Sequence, residues 1–192
     1  MARPQNIDDE ALIASLAGVF RDFGYEGASL TRLADAAGLQ KASLYHRFPG
    51  GKEQMASEVL VAAYAWLQDK IIAPLQSDAA PTVRIKKVSA EFRRFYDCGR
   101  KACLLNMLAS PKAADGPFAA PIRSALELLI DGFARLAREA GASQRVARRR
   151  AETAVALLQG NLVLARGLGD EGPFERFLGE LPRLILEYES KN

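Results

Sequence analysis

The chain has 192 residues, of which 49% are hydrophobic and 26% are charged, and its formal net charge is +3. This balance supplies enough apolar side chains for a buried core and excludes a largely disordered chain. The sequence shows neither the layout of a signal peptide nor an apolar run of the ~20 residues that a membrane span needs. We therefore expect a cytoplasmic protein.

Cysteine and histidine are scarce in this chain. Cys98, Cys103 and His46 are its only residues of these two types. Two cysteines form neither a disulfide framework nor a metal-ligand cluster, so we predict free thiols, no metal site and no cofactor. With one histidine, a catalytic His-based pair has no second member.

The spacing of apolar residues is helical along most of the chain, and no segment alternates as a strand does. We therefore predict an all-α protein of about nine helices. The first helix is expected from about Asp8 to Phe23, ended by Gly24. Its apolar face carries Leu12, Leu16, Val19, Phe20 and Phe23.

The segment Ser29–Glu53 predicts two short helices joined by a tight turn. Ser29 is a suitable N-cap for the first of them, and Gly38 supplies the positive φ that the turn needs. Leu44 and Phe48 anchor the second helix. Its predicted outer face is polar and consists of Gln40, Lys41, Ser43, Tyr45 and Arg47. This arrangement is a helix-turn-helix with a polar face free to enter a DNA groove.

Longer helices are predicted after this segment. A helix from about Lys52 to Ile72, stopped by Pro74, is long enough to connect two domains. The later blocks are Pro81 to Tyr96, Lys101 to Ser110, Phe118 to Ala140, a helix capped by Ser143 and reaching about Gly167, and a last helix with Pro173 in its first turn that ends near Glu189.

The start of the second short helix is the predicted base-reading position. Gln40 can pair with adenine and Lys41 with guanine in the major groove, and Ser43 lies beside them. The alternative is an ordinary polar helix face. Because residues 1–53 hold six basic and seven acidic residues, binding must depend on a few placed groups rather than on a basic domain.

The run from Gly27 to Glu53 resembles the TetR family of bacterial transcriptional regulators. The matching pieces are Ala28-Ser29-Leu30, Leu33-Ala34-Asp35-Ala36-Ala37-Gly38-Leu39, Lys41-Ala42-Ser43-Leu44-Tyr45-His46-Arg47-Phe48 and Gly51-Lys52-Glu53. Ala42 replaces the family's usual glycine, and Arg47 stands where histidine is common. Cys103-Leu104-Leu105 after Gly99 is similar to an LmrA/YxaF-like branch of the family.

The resemblance implies a DNA-contacting set that extends beyond the three base-reading residues. Tyr45 and His46 match positions that approach phosphates or a thymine methyl group, and Lys52 matches a phosphate-contacting lysine, although a lone histidine is often structural. The free N–H groups at the start of the helix after Ser29 can also receive a phosphate, while capping alone explains Ser29 equally well. The full set is Ser29, Thr31, Arg32, Gln40, Lys41, Ala42, Ser43, Tyr45, His46 and Lys52.

The resemblance also implies two domains, with residues 1–50 as the DNA-binding domain and residues 51–192 as a ligand-binding and dimerisation domain. Leu157 to Leu184 is similar to the last two helices, which pair across the family's dimers. A mostly apolar effector would occupy a cavity in the second of these domains. The alternative is that the residues of this cavity form an ordinary helical-bundle core. Its candidate lining is Trp66, Phe92, Tyr96, Cys103, Asn106, Met107, Phe118, Ile122, Phe133 and Gln159.

The sequence therefore predicts a ligand-responsive regulator, a repressor that binds a palindromic operator on double-stranded DNA as a homodimer and leaves it when a small molecule binds. It predicts no enzyme. Two alternatives stay open at this point. One is a constitutive DNA- or partner-binding helical module without a ligand, and the other is a small all-α thiol enzyme that uses Cys103.

Overall fold

The computed structural model describes residues 8–109 and 116–187, and those residues are helical with no strand. The helices are α1 Asp9–Gly27, α2 Leu30–Ala37, α3 Lys41–Arg47, α4 Gly51–Leu67, α5 Ala73–Leu75, α6 Pro81–Phe95, α7 Leu104–Leu108, α8 Ala119–Glu139, α9 Gln144–Leu168 and α10 Gly172–Leu186. A π-helical segment, Gln68–Ile72, joins α4 to α5 without a break, so these described residues form nine separate helical rods. The predicted all-α class is confirmed.

The chain divides into two compact units. One contains residues 1–63 and 104–119, and the other contains residues 64–103 and 120–192. The first therefore holds α1 to α3, most of α4 and the short α7. The second holds α5, α6 and α8 to α10. The functional boundary expected between residues 50 and 51 stays a prediction. Among the described helices, none combines the length and the apolar character that crossing a membrane requires.

The end of α1 differs slightly from the prediction. Gly24 leaves the helical conformation, with φ 66° and ψ 179°, and one further turn follows to Gly27. A β-carbon built at Gly24 would lie 3.3 Å from the carbonyl oxygen of Met107 in α7. Glycine is thus favoured there both by the positive φ and by the close approach of α7.

The helix that begins with α4 passes through Pro74 instead of stopping before it, so the predicted end at Ile72 is wrong. Proline has no N–H, and its ring collides with the carbonyl four residues earlier in a regular α-helix. Here the turn before Pro74 is widened, and the Ala73 N–H donates to the Gln68 carbonyl five residues back. This π-helical turn accommodates the ring and lets α5 continue to Leu75.

Two later helix limits also shift. The short helix predicted from Lys101 begins at Leu104 and ends at Leu108, and Ser110 lies outside the described residues. The last helix ends at Leu186, whereas Glu189, where its end was predicted, lies outside the described residues. The predicted cap of α9 is confirmed, because the Ser143 hydroxyl accepts a hydrogen bond from the Val146 N–H at 3.4 Å.

A buried arginine ties three elements of the second unit together. Arg84 in α6 donates to the carbonyl of Leu75 at 2.8 Å and pairs with the carboxylate of Glu139 in α8. The hydrogen bond from Arg84 holds the pKa of the Glu139 carboxyl below its usual range. The cation thus satisfies a carbonyl at a helix end while its own charge is neutralised.

Several aromatic rings pack against one another in the second unit. Trp66 stacks on Phe95 with ring centroids 3.6 Å apart, and Phe92 meets Phe133 edge to face at 6.4 Å. Tyr96 meets Phe174 of α10 at 6.0 Å. After Tyr96 the backbone turns sharply, with φ 99° at Gly99. This turn brings the backbone directly against α9 and α10.

We predict that Gly99→Ala strongly destabilises the protein. The added β-carbon would lie 2.9 Å from Cβ of Phe174 and 3.1 Å from Cβ of Ala165, at a φ that favours glycine. The expected loss of unfolding free energy is about 2–4 kcal/mol, measured by urea denaturation. The control is Gly167→Ala, where the space is open and the helix should gain about 0.5–1 kcal/mol. Equal stability of the two variants would contradict this packing.

Candidate nucleic-acid interface

The turn between α2 and α3 has the geometry that the sequence predicts. The Ser29 hydroxyl accepts a hydrogen bond from the Arg32 N–H at 3.3 Å and so caps α2. Gly38 ends this helix with φ 62°, and the Leu39 N–H donates to the Ala34 carbonyl at 2.9 Å. This is the left-handed helix end that glycine permits. It directs the chain into α3 after two residues.

The seven residues of α3 have one buried face and one exposed face. Leu44 is buried in the first unit, as is Phe48 immediately after the helix. Tyr45 is 47% exposed. The exposed residues at the start and along the outside of this helix are Gln40, Lys41, Ala42, Ser43, Tyr45 and His46. The structure thus presents the predicted base-reading residues on one free surface, which we call the α3 face.

Arg47 differs from the other residues of the predicted outer face, because its partly exposed side chain binds groups of the first unit. Its Nε lies 3.4 Å from a carboxylate oxygen of Asp9 in α1, and its Nη2 lies 3.2 Å from one of Glu58 in α4. The guanidinium also lies 4.8 Å from the centre of the Phe48 ring. It therefore links the end of α3 to α1 and α4.

The carboxylate of Glu58 is fixed by a second contact. Gln54 donates from Nε2 to Glu58 at 2.9 Å, and its Oε1 accepts the Gly50 N–H at 2.8 Å. The loop after α3 and the start of α4 are thus joined to the group that binds Arg47. Sequence reasoning missed this set because Asp9 lies 38 residues from Arg47, and no local spacing signals such a pair.

The start of α2 presents Ser29 and Thr31 to solvent. Arg32 is also exposed, and its Nη1 donates to the Gly27 carbonyl at 3.3 Å. Its guanidinium lies 4.4 Å from the centre of the Phe23 ring. These contacts orient Arg32 along the connection between α1 and α2. The three residues therefore lie at one helix N-terminus, with the backbone N–H of Arg32 used by the cap.

Lys52 is held inside the first unit at the beginning of α4. Its ammonium donates to the carbonyl of Tyr25 at 2.8 Å and lies 4.3 Å from the centre of that ring. An ammonium carries three N–H groups, so donors remain for a phosphate. By contrast, Lys41 on the α3 face forms no ion pair with any described residue.

The predicted pocket residues fall into both units. Asn106, Met107 and Phe118 belong to the first unit, where Asn106 is exposed and Phe118 meets the Tyr25 ring at 5.0 Å. The second unit contains Trp66, Phe92, Tyr96, Cys103, Ile122, Phe133 and Gln159.

Three polar members of the second set meet at the sulfur of Cys103. The Tyr96 hydroxyl donates to it at 3.6 Å and the Gln159 amide at 3.4 Å. Both cysteines are free thiols, and the described residues hold no cluster of three or more side chains suited to a metal ion.

Comparisons with known proteins agree with this geometry. The family model for bacterial regulatory proteins of the TetR family matches residues 12–59, which include α2, α3 and the turn between them. The chain is similar to the HTH-type transcriptional regulator LmrA of Bacillus subtilis, with 24% identity over 182 residues that cover 92% of this chain and 95% of LmrA. It is 23% identical over 184 residues to YxaF of the same organism, an uncharacterised HTH-type transcriptional regulator, covering 92% and 94% of the two chains.

A solved structure extends the likeness to nearly the whole fold. The TetR transcriptional regulator from Legionella pneumophila is 25% identical, with a TM-score of 0.77, and the match covers 94% of this chain and all of that one. The α3 face, the family match over the helix-turn-helix and the regulator relatives over most of the length lead to one conclusion. Residues 12–59 form a DNA-binding domain of the TetR family, and over most of its length the chain is similar to HTH-type and TetR-family transcriptional regulators.

Proposed function

We propose that this protein is a ligand-responsive repressor that binds a palindromic operator as a homodimer and leaves it when a small molecule binds. The observation that carries the DNA-binding part is the α3 face. It is polar and exposed at the start of a helix whose other side is buried in the first unit. Such a helix can enter the major groove with its first residues at the base edges.

The contacts on DNA follow from the chemistry of the exposed groups. Lys41 offers a cation to a guanine, and Gln40 can pair with an adenine, while Ser43 and Ala42 contribute a hydroxyl and a methyl group. Tyr45 and His46 would reach the phosphates on one side of the groove. Ser29, Thr31 and Arg32 at the start of α2 would contact the backbone on the other side, where the helix dipole favours an anion.

The proposed dimer forms through α9 and α10. Leu157, Leu164 and Leu168 are 43%, 51% and 67% exposed, and their spacings of seven and four place them on one side of α9. We call these three residues the α9 stripe. An open groove of about 460 Å³ adjoins the stripe at Leu157. The groove is lined by Arg149, Arg150, Thr153, Leu157, Phe177, Glu180, Arg183, Leu184 and Glu187.

A second copy of the chain fits this surface better than a different partner does. Its charges have both signs, since Arg149 and Arg150 of α9 and Arg183 of α10 line it together with Glu180 of α10 and Glu187 just after that helix. In a two-fold interface each residue meets the partner's copy of another, so a patch that carries both signs complements itself. Two α3 faces would then address two half-sites of a palindrome.

The proposed response acts through α4, which begins in the first unit shortly after α3 and is continued by the π-helical segment and α5 to Leu75 in the second unit. An effector in the second unit would stabilise a position of α4 in which two α3 faces no longer match successive grooves. Such coupling needs a different effector affinity in the two states.

We predict that selection from a random DNA pool enriches a palindrome, and that Lys41→Ala and Tyr45→Ala each weaken binding to it by about 10–100-fold. Both side chains are exposed, so the circular dichroism and melting temperature should not change. Binding is measured by fluorescence anisotropy at fixed salt. The control is Lys86→Ala, an exposed lysine of α6, which should keep the wild-type affinity. A pool without an enriched sequence would rule out operator recognition.

We also predict that Leu164→Glu converts the dimer to a monomer, because it places a charge in the centre of the α9 stripe. Light scattering after size exclusion measures the mass, and the half-palindrome should then be bound as well as the full one. The matched control is Val83→Glu on α6, where the valine is 56% exposed. If Leu164→Glu stayed dimeric while folded, the proposed interface would be wrong.

A further inference from the structure

Two buried polar atoms of α9 have no hydrogen-bond partner among the described residues. They are Oε1 of Gln159 and Nη1 of Arg166. Buried polar atoms are normally paired, because leaving them unpaired lowers the stability of the fold. Arg84 also has an unpaired buried Nε, but its other N–H groups bind Leu75 and Glu139, which explains its position.

Gln159 and Arg166 lie on the same side of α9. They are seven residues apart, which is two helical turns or about 10 Å along the axis. Leu162 and Ala165, which lie between them in sequence, are buried. The helix thus presents an acceptor and a cationic donor at the two ends of an apolar stretch. We call this pair of atoms and the stretch between them the α9 polar pair.

Neighbouring groups of the second unit surround both ends of this pair. The Gln159 amide donates from Nε2 to the sulfur of Cys103, so its orientation is fixed and Oε1 is left over. At the other end, Gly99 approaches Ala165, the residue before Arg166, and it also approaches the ring of Phe174. The Tyr96 hydroxyl also donates to that sulfur, so polar groups converge at the Gln159 end, as they do in small-molecule sites generally.

Arg166 also lacks an ionic partner, since none of the described carboxylates forms an ion pair with it. A partly buried guanidinium without a counter-charge costs stability. A bound carboxylate would supply that charge through hydrogen bonds that are stronger than those between neutral groups. Sequence reasoning selected Gln159 but not Arg166, because a single arginine in a helix has no local pattern that marks it.

We propose that the effector is an amphipathic organic anion. Its carboxylate or similar group binds Arg166, a hydrogen-bond donor about 10 Å away meets Oε1 of Gln159, and its apolar body spans the two helical turns between them. This inference rests on the proposed ligand-responsive function and replaces the largely apolar effector predicted from the sequence with a charged one.

The first test is the stability of the protein without any ligand. If the unpaired atoms of Arg166 and Gln159 serve to bind a ligand, they lower the stability of the protein without ligand. Arg166→Met and Gln159→Leu remove these atoms, so each should raise the melting temperature by about 2–4 °C. The control is Arg145→Met on the same helix, an exposed residue whose replacement should change little. A fall in the melting temperature for Arg166→Met would mean that this arginine stabilises the fold, and it would overturn the proposal.

The second test measures binding of two matched probes by calorimetry, para-hydroxyphenylbutanoate and its neutral amide. The wild-type protein should bind the carboxylate at least about tenfold more tightly. Arg166→Gln should abolish this preference, Arg166→Lys should restore part of it, and Arg145→Gln should retain it. Equal affinities for the two probes, or binding of neither, would overturn the proposal.

Operator binding by the same preparations separates this inference from the proposed function. A protein that selects a palindrome but shows no preference for the carboxylate contradicts only the anionic effector. A protein that prefers the carboxylate but selects no DNA contradicts the proposed repressor and leaves the anion site in place.

Discussion

The seven residues of α3, the proposed recognition helix, cannot hold a helical conformation alone, and the rest of the first unit is arranged around that constraint. Isolated helices need about 12–15 residues even with favourable sequences. Here the helix is stabilised by packing of Leu44 and Phe48 and by the contacts of Arg47 with Asp9 and Glu58. Because Arg47 joins the end of α3 to α1 and α4, the orientation of the α3 face is set by the whole unit.

The same constraint explains why a domain without a basic surplus can still bind DNA. Arg47 and Lys52 are basic, yet their charged groups bind Asp9, Glu58 and the Tyr25 carbonyl inside the unit. Lys41 is exposed on the α3 face. Long-range attraction is therefore weak, and we propose that recognition depends on a few groups whose positions are fixed before DNA arrives.

Local features such as caps and turns could be predicted from the sequence, whereas ion pairs between residues far apart in the chain could not. The Ser29 cap and the Gly38 turn follow from rules that act over a few residues. The ion pairs of Arg47 depend on Asp9 and Glu58 in other helices, so the spacing within α3 could not indicate them. Pro74 was expected to end its helix because the π-helical turn that accommodates it has no sequence signal. The protein residues that contact DNA and those that contact the effector stay predictions.

Chemical protection of the selected operator tests most directly whether α3 reads the major groove as part of a dimer. Dimethyl sulfate methylates guanine N7, an atom that lies in that groove. We expect protected guanines in both half-sites, about one helical turn apart. In the Lys41→Ala variant, one guanine in each half-site, at symmetric positions, should lose its protection. Unprotected guanine N7 atoms throughout a bound operator, or protection in one half-site only, would contradict the account.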